Sequence, residues 1–189
     1  MAVPPLACAL LNFAAVLVLA TVLAPGTPVI ADVAERERYV GANLFVWRVG
    51  WSVWMLAAAS LLWMYVWWRA RIGGPHVALA VAVVGIVADW SAETLLIVSG
   101  ADGYRAIAPF AFLLTGAVAN GLYTLAGIVL TLATPLGPAA RAYAAVMWSA
   151  GVALSLAALV DLAPLVAFAT ALLFAMFVPW CLWLRARLG

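Results

Sequence analysis

The stretch AARAYAAVMWSAGVALSLAALVDLAPLVAFATALLFAMFVPWCLW, residues 139–183, is apolar almost without interruption, and its reading decides how often the chain crosses a membrane. A helix rises about 1.5 Å per residue and bilayer hydrocarbon is about 30 Å thick, so a run this long is roughly twice one crossing and must turn once. The only punctuation is Asp161-Leu162-Ala163-Pro164. Asp161 is expected to cap the helix that follows, and Pro164 is tolerated in its first turn, where its missing N–H costs nothing. The result is a fifth span over 139–160 and a sixth over 162–183. In the sixth, Ala163, Ala167, Ala171 and Ala175 recur at every fourth residue. Such a seam of small side chains lets a neighbouring helix approach closely.

Four more spans precede this pair. The first, 5–24, lacks a basic leader and a small-residue cleavage site before Pro25, so it reads as a retained helix and not as a signal peptide. Pro25, Gly26 and Pro28 end it, and residues 32–38 form the one dense charge cluster, a solvated loop with room for a short surface helix. The second span, 43–68, ends in Trp63, Tyr65, Trp67 and Trp68 ahead of Arg69 and Arg71, the pattern of an interfacial aromatic belt. Gly73-Gly74-Pro75 separates it from the third span, 77–99, and a turn over 100–105 leads to the fourth, 106–133.

Composition agrees with this count. Hydrophobic residues make up 69% of the chain and charged residues 8%, with a mean hydropathy of +1.19, whereas soluble domains carry roughly a quarter charged residues. The expected fold is a single all-α domain, a polytopic bundle of six transmembrane helices. Every basic residue is arginine. Without lysine, a retinal-type Schiff base or other lysine-based covalent chemistry is excluded. The single histidine, His76, sits in a Gly-Gly-Pro-His loop, so neither bis-histidine haem nor a histidine zinc site has support, and no metal or cofactor is expected. No phosphate-binding glycine loop or Cys-x-x-Cys pair is present, and nothing suggests a nucleic-acid partner. Cys8 and Cys181 fall near the same side of the membrane and are not expected to form a disulfide in a reducing compartment.

With six spans, both termini and the 2–3 and 4–5 loops share one side, which holds Arg69, Arg71, Arg141, Arg185 and Arg187 and no acidic residue. The positive-inside rule makes that side cytoplasmic. The expected localisation is therefore a bacterial inner membrane, multi-pass, with both termini inside. The opposite loops carry Asp32, Glu35, Glu37 and Asp102 against Arg36, Arg38 and Arg105.

The third span is apolar enough to cross a membrane, yet it holds Asp89 and Glu93 well inside. Spacing of i, i+4 puts both carboxyls on one helical face. Intramembrane charges are costly and face a partner, a bundle interior or a watery cavity. Counting from helix ends brings Arg48 level with Glu93, with Asp89 about 6 Å deeper, so an Arg48–Glu93 pair is the first expectation. Asn43, Trp47, Trp51 and Trp54 share one face of the second span beside Arg48 and Ser52, and Thr115, Asn120, Tyr123 and Thr124 form a polar cluster on the fourth. These residues are expected to border an outward-opening pocket, in which a neutral Asp89 hydrogen-bonds a ligand, Asn120 or Tyr123.

Three functions fit this constellation. The favoured specific reading is a small-molecule-binding or transport protein that uses Asp89, Glu93, Arg48, Trp47, Trp51, Asn120 and Tyr123 for ligand binding or proton coupling. Its partners are then the lipid bilayer and a small amphipathic or lipophilic ligand. The second is an accessory membrane subunit whose charges only pair helices. The third is a membrane enzyme using the carboxyls as acid and base on a lipophilic substrate, with no assigned catalytic residue.

Overall fold

The computed structural model describes residues 3–189. Six helices are long and apolar enough to cross a membrane: Val3–Gly26, Leu44–Ile72, His76–Ser99, Tyr104–Ala133, Pro138–Leu159 and Ala163–Leu188. Each span packs on its neighbours in sequence, and the first also packs on the sixth, closing the bundle into a ring. Short connections allow no other antiparallel order for most of these pairs. The protein is thus an all-α six-helix bundle of the multi-pass membrane type.

The charge cluster between the first two spans forms a surface helix, Val33–Ala42. Asp32 caps it, its carboxylate accepting the Ala34 N–H at 2.8 Å, which satisfies one of the four N–H groups a helix start leaves open. The second span stops at Gly73, whose φ of 63° is the left-handed conformation of a helix C-cap, and the chain doubles back into the third span.

At the turn between the fifth and sixth spans the chain departs from the sequence-based expectation. Asp161 does not cap the sixth helix. It adopts a φ of 52° and closes the fifth: Leu162 N–H bonds the Ala157 carbonyl at 2.9 Å and Asp161 N–H faces the Ala158 carbonyl at 3.4 Å. That pair of bonds is the Schellman ending of a helix, which needs a left-handed residue, and aspartate tolerates that conformation better than most side chains. Leu162 takes the N-cap position without a side-chain bond, and Pro164 does sit in the first turn.

The alanine seam is also turned from its expected place. Ala167, Ala171 and Ala175 are exposed, while the sixth span packs inward through Ala169, Leu173, Phe177, Trp180, Cys181 and Leu184. The bulky face wins because it fills more of the ring's interior. Of the aromatic belt, Trp63 is exposed, but Tyr65 and Trp68 are core residues. Trp68 packs edge-on to Trp180 with centroids 6.0 Å apart and donates to Thr134 Oγ1 at 3.0 Å. Cys8 and Cys181 are free and buried, with Cys181 Sγ 3.3 Å from Met64 Sδ.

Candidate functional site

Three hydrogen bonds set how the second and third spans slide past each other. Trp47 Nε1 donates to the Leu96 carbonyl at 3.1 Å, Arg48 Nε to the Ile97 carbonyl at 3.1 Å, and Trp90 Nε1 to the Met55 carbonyl at 3.2 Å. This register puts Arg48 level with Ile97 and Trp51 level with Glu93. Arg48 therefore lies four residues, about 6 Å, shallower than Glu93, and its side chain is exposed. The expected Arg48–Glu93 pair is not formed. Counting inward from helix ends missed it because the offset between two helices is set by their side-chain contacts and not by their lengths. Arg105 and Glu37 form an ion pair at 2.6 Å, which ties the surface helix to the start of the fourth span outside the carboxyl pair.

Asp89 and Glu93 both point into the bundle, with relative exposures of 2% and 0%. Their surroundings differ. Thr115 Oγ1 donates to Asp89 Oδ1, and Tyr123 O–H donates to Asp89 Oδ2 at 3.0 Å. Both oxygens of Glu93 are buried and have no hydrogen-bond partner; the same holds for Trp51 Nε1, the indole at its level.

The fourth span is built to deliver both donors. Residues Leu114–Ala119 form a π-helical segment, preceded by Pro109 inside the helix. In an unbroken α-helix, Thr115 and Tyr123, eight residues apart, would face directions differing by about 80°; one residue absorbed by a wider π turn reduces that to about 20°. The two side chains thus reach one carboxylate from one helix. Tyr123 is further held by its carbonyl, which accepts from Tyr65 O–H at 3.0 Å, and by Gly85, where a Cβ would come within 2.8 Å of the Tyr123 ring.

Other residues singled out in the sequence have different tasks. Asn120 turns away from Asp89 and donates to the Gly151 carbonyl at 2.9 Å and to Ser155 Oγ at 2.7 Å, joining the fourth and fifth spans. Trp47 and Trp51 stack edge to face at 5.5 Å, with Trp47 against Tyr104 at 6.3 Å and Trp51 against Phe112 at 6.2 Å. Trp51 is thus level with Glu93, and Trp47 lies one turn nearer the surface helix. Trp54 instead meets Phe174 of the sixth span at 5.8 Å. In place of an open pocket, the carboxyls are sealed within the bundle.

Of the expected set, Asp89 and Tyr123 are in direct contact, Glu93 lies one turn away on the same helical face and level with Trp51, Trp47 bonds the Leu96 carbonyl, and Arg48 and Asn120 are engaged elsewhere. By sequence, Thr115 belongs only to a polar cluster and Tyr65 only to the aromatic belt, and Gly85 carries no signal. A proline followed seven residues later by Gly116 is the only local trace of the π segment. No group of three His, Cys, Asp or Glu side chains converges on a metal position among the described residues. The chain matches no family model, no curated protein and no solved structure.

Proposed function

We propose that this membrane protein binds or transports a small solute by moving a proton on and off the Asp89–Glu93 pair. The observation that carries the reading is the contrast within the pair, two donors on Asp89 and none on Glu93, with both groups buried. Two carboxylates one helical turn apart repel each other, and each is costly at bilayer depth. One proton held between them removes most of that cost. An ionised carboxylate only accepts hydrogen bonds, so the charge belongs where Thr115 and Tyr123 converge and the proton belongs on Glu93. This reverses the assignment expected from depth alone, which made Asp89 the neutral group.

Loss of the Glu93 proton leaves two adjacent negative charges that a cation entering the site, or a wider gap between the third and fourth spans, relieves. The solute class that fits is a small lipophilic or amphipathic cation, for which the faces of Trp47 and Trp51 supply cation–π attraction. Thr115 lies on a π turn, a segment type that recurs at functional sites. The arginine end is assigned to the cytoplasm of a bacterial inner membrane. A competing reading, an accessory subunit, draws on the complete burial of both carboxyls.

The test is infrared difference spectroscopy of the protein in lipid nanodiscs as pH is stepped. A protonated-carboxyl C=O band should respond to pH, vanish in Glu93→Gln and persist in Asp89→Asn. A wild-type spectrum with no pH-sensitive carboxyl band, together with unchanged tryptophan fluorescence, would decide for the accessory reading.

A further inference from the structure

We infer that the groove between the fourth and fifth spans is a binding site for an anionic phospholipid, with the headgroup phosphate at Arg141 and an acyl chain running inward. The groove has a volume of about 710 Å³ and is lined by Ile128, Thr131 and Leu132 of the fourth span and by Arg141, Trp148 and Val152 among others of the fifth. It lies apart from the carboxyl pair, and the inference does not depend on the function proposed for that pair.

Its floor exists because Gly127 leaves room for the indole of Trp148; a Cβ at Gly127 would collide with the ring. Trp148 Nε1 donates to Thr131 Oγ1 at 2.8 Å, so the polar groups of the floor satisfy each other and present an apolar bed. Arg141, Leu132, Ser149 and Val152 are exposed along the groove, which opens sideways toward lipid. From Arg141 to Val152 the fifth span advances eleven residues, about 16 Å, or half of the hydrocarbon thickness. The groove therefore runs from headgroup level to the bilayer middle, the path of one acyl chain.

Charge selects the headgroup. Arg69 at the same end of the bundle is occupied by the Gly74 carbonyl at 2.9 Å and by His76, and Arg71 lies over the Trp67 ring at 5.8 Å. Arg141 has no ion-pair partner among the described residues and stands at the mouth of the groove. A basic group beside an interhelical cleft at this depth fits a phosphodiester anion, because the arginine fork binds phosphate oxygens in pairs. A zwitterionic lipid offers the same phosphate with its charge offset by a choline.

Native mass spectrometry of the full chain in detergent tests this, with phosphatidylglycerol, phosphatidylcholine and inorganic phosphate as probes. Phosphatidylglycerol should be retained about fivefold more tightly than phosphatidylcholine, the worth of one arginine beside an anionic headgroup. Arg141→Gln should erase that preference and Arg141→Lys should keep most of it. Val152→Trp, which fills the inner groove from an exposed position, should lower retention of both lipids without lowering the melting temperature. Equal retention of the two lipids by the wild type would overturn the proposal, as would preference unchanged in Arg141→Gln. Displacement of lipid by millimolar inorganic phosphate would reassign the site to free phosphate, and a dimer peak lost in Val152→Trp would reassign it to a second copy of the chain.

Discussion

At the arginine end, Trp68, Trp180 and Tyr143 pack ring on ring beside the fully buried Met64, Met147 and Leu184; toward the acidic end, the core narrows to Trp47, Trp51, Tyr104 and Leu96 around two carboxyls. Both π-helical segments, Leu19–Leu23 and Leu114–Ala119, fall on the acidic side of this division or at its border. The first of them has its Val22 carbonyl taken by Tyr39 O–H at 2.5 Å. Both halves combine apolar packing with polar contacts, Trp68 to Thr134 in the first and Tyr123 to Asp89 in the second, but the π-helical turns belong to the second. Regular packing supplies stability, while the irregular turns position donors where a carboxylate is.

The largest effect should come from the arginine end. Trp180→Ala removes a ring that touches Trp68, Tyr143 and Trp183, and should cost about 3–5 kcal/mol in unfolding by mixed-micelle denaturation. A loss under 1 kcal/mol would mean that this core is not where the bundle is held together.

The same substitution made at both ends gives a sharper comparison. On the proposal that Asp89 carries the charge, Thr115→Val should cost about 1.5–3 kcal/mol, whereas Thr131→Val deletes a neutral bond from Trp148 and should cost about 0.5–1.5 kcal/mol. Equal losses would argue that Asp89 is neutral. Glu93→Leu should then raise stability by about 1 kcal/mol, since it removes a buried carboxyl with no hydrogen-bond partner. A decrease in thermal stability would reveal a partner for Glu93 that appears in the membrane.

The smallest effect belongs to Arg48. Its exposed side chain holds only the Ile97 carbonyl, so Arg48→Met should change stability by less than about 0.5 kcal/mol. Combined with Glu93→Gln, the two changes should add within about 0.5 kcal/mol, as independent sites do. A coupling well above that value would restore the ion pair that the helix register separates.

Much of the architecture was legible from composition and local pattern. Six spans follow from the lengths of apolar runs, and the meeting of Asp89 with Glu93 on one buried face follows from a spacing of four. These properties are local, because each depends on residues within a turn or a span. Arg48, Asp161 and the alanine seam were misplaced for the opposite reason. The depth of Arg48 depends on how two helices slide, which Trp47, Arg48 and Trp90 set by bonding carbonyls on the neighbouring span or, for Trp90, on the preceding one. Asp161 serves as a helix end because the preceding turn needs a left-handed residue more than the next helix needs a cap.

By itself, then, the amino-acid sequence determined the number of membrane-length helices, the absence of acidic residues from the loops and termini that carry Arg69, Arg71, Arg141, Arg185 and Arg187, and the presence of a carboxyl pair inside the third span. Only the tertiary structure decided which of the two carboxyls receives donors, through a π turn that brings Thr115 and Tyr123 onto one face, and that Glu93 receives none. The physical reason is range: hydropathy and helical period act within a segment, whereas the rotation and offset of one helix against another are set by contacts between residues as far apart as Asp89 and Thr115 or Trp47 and Leu96.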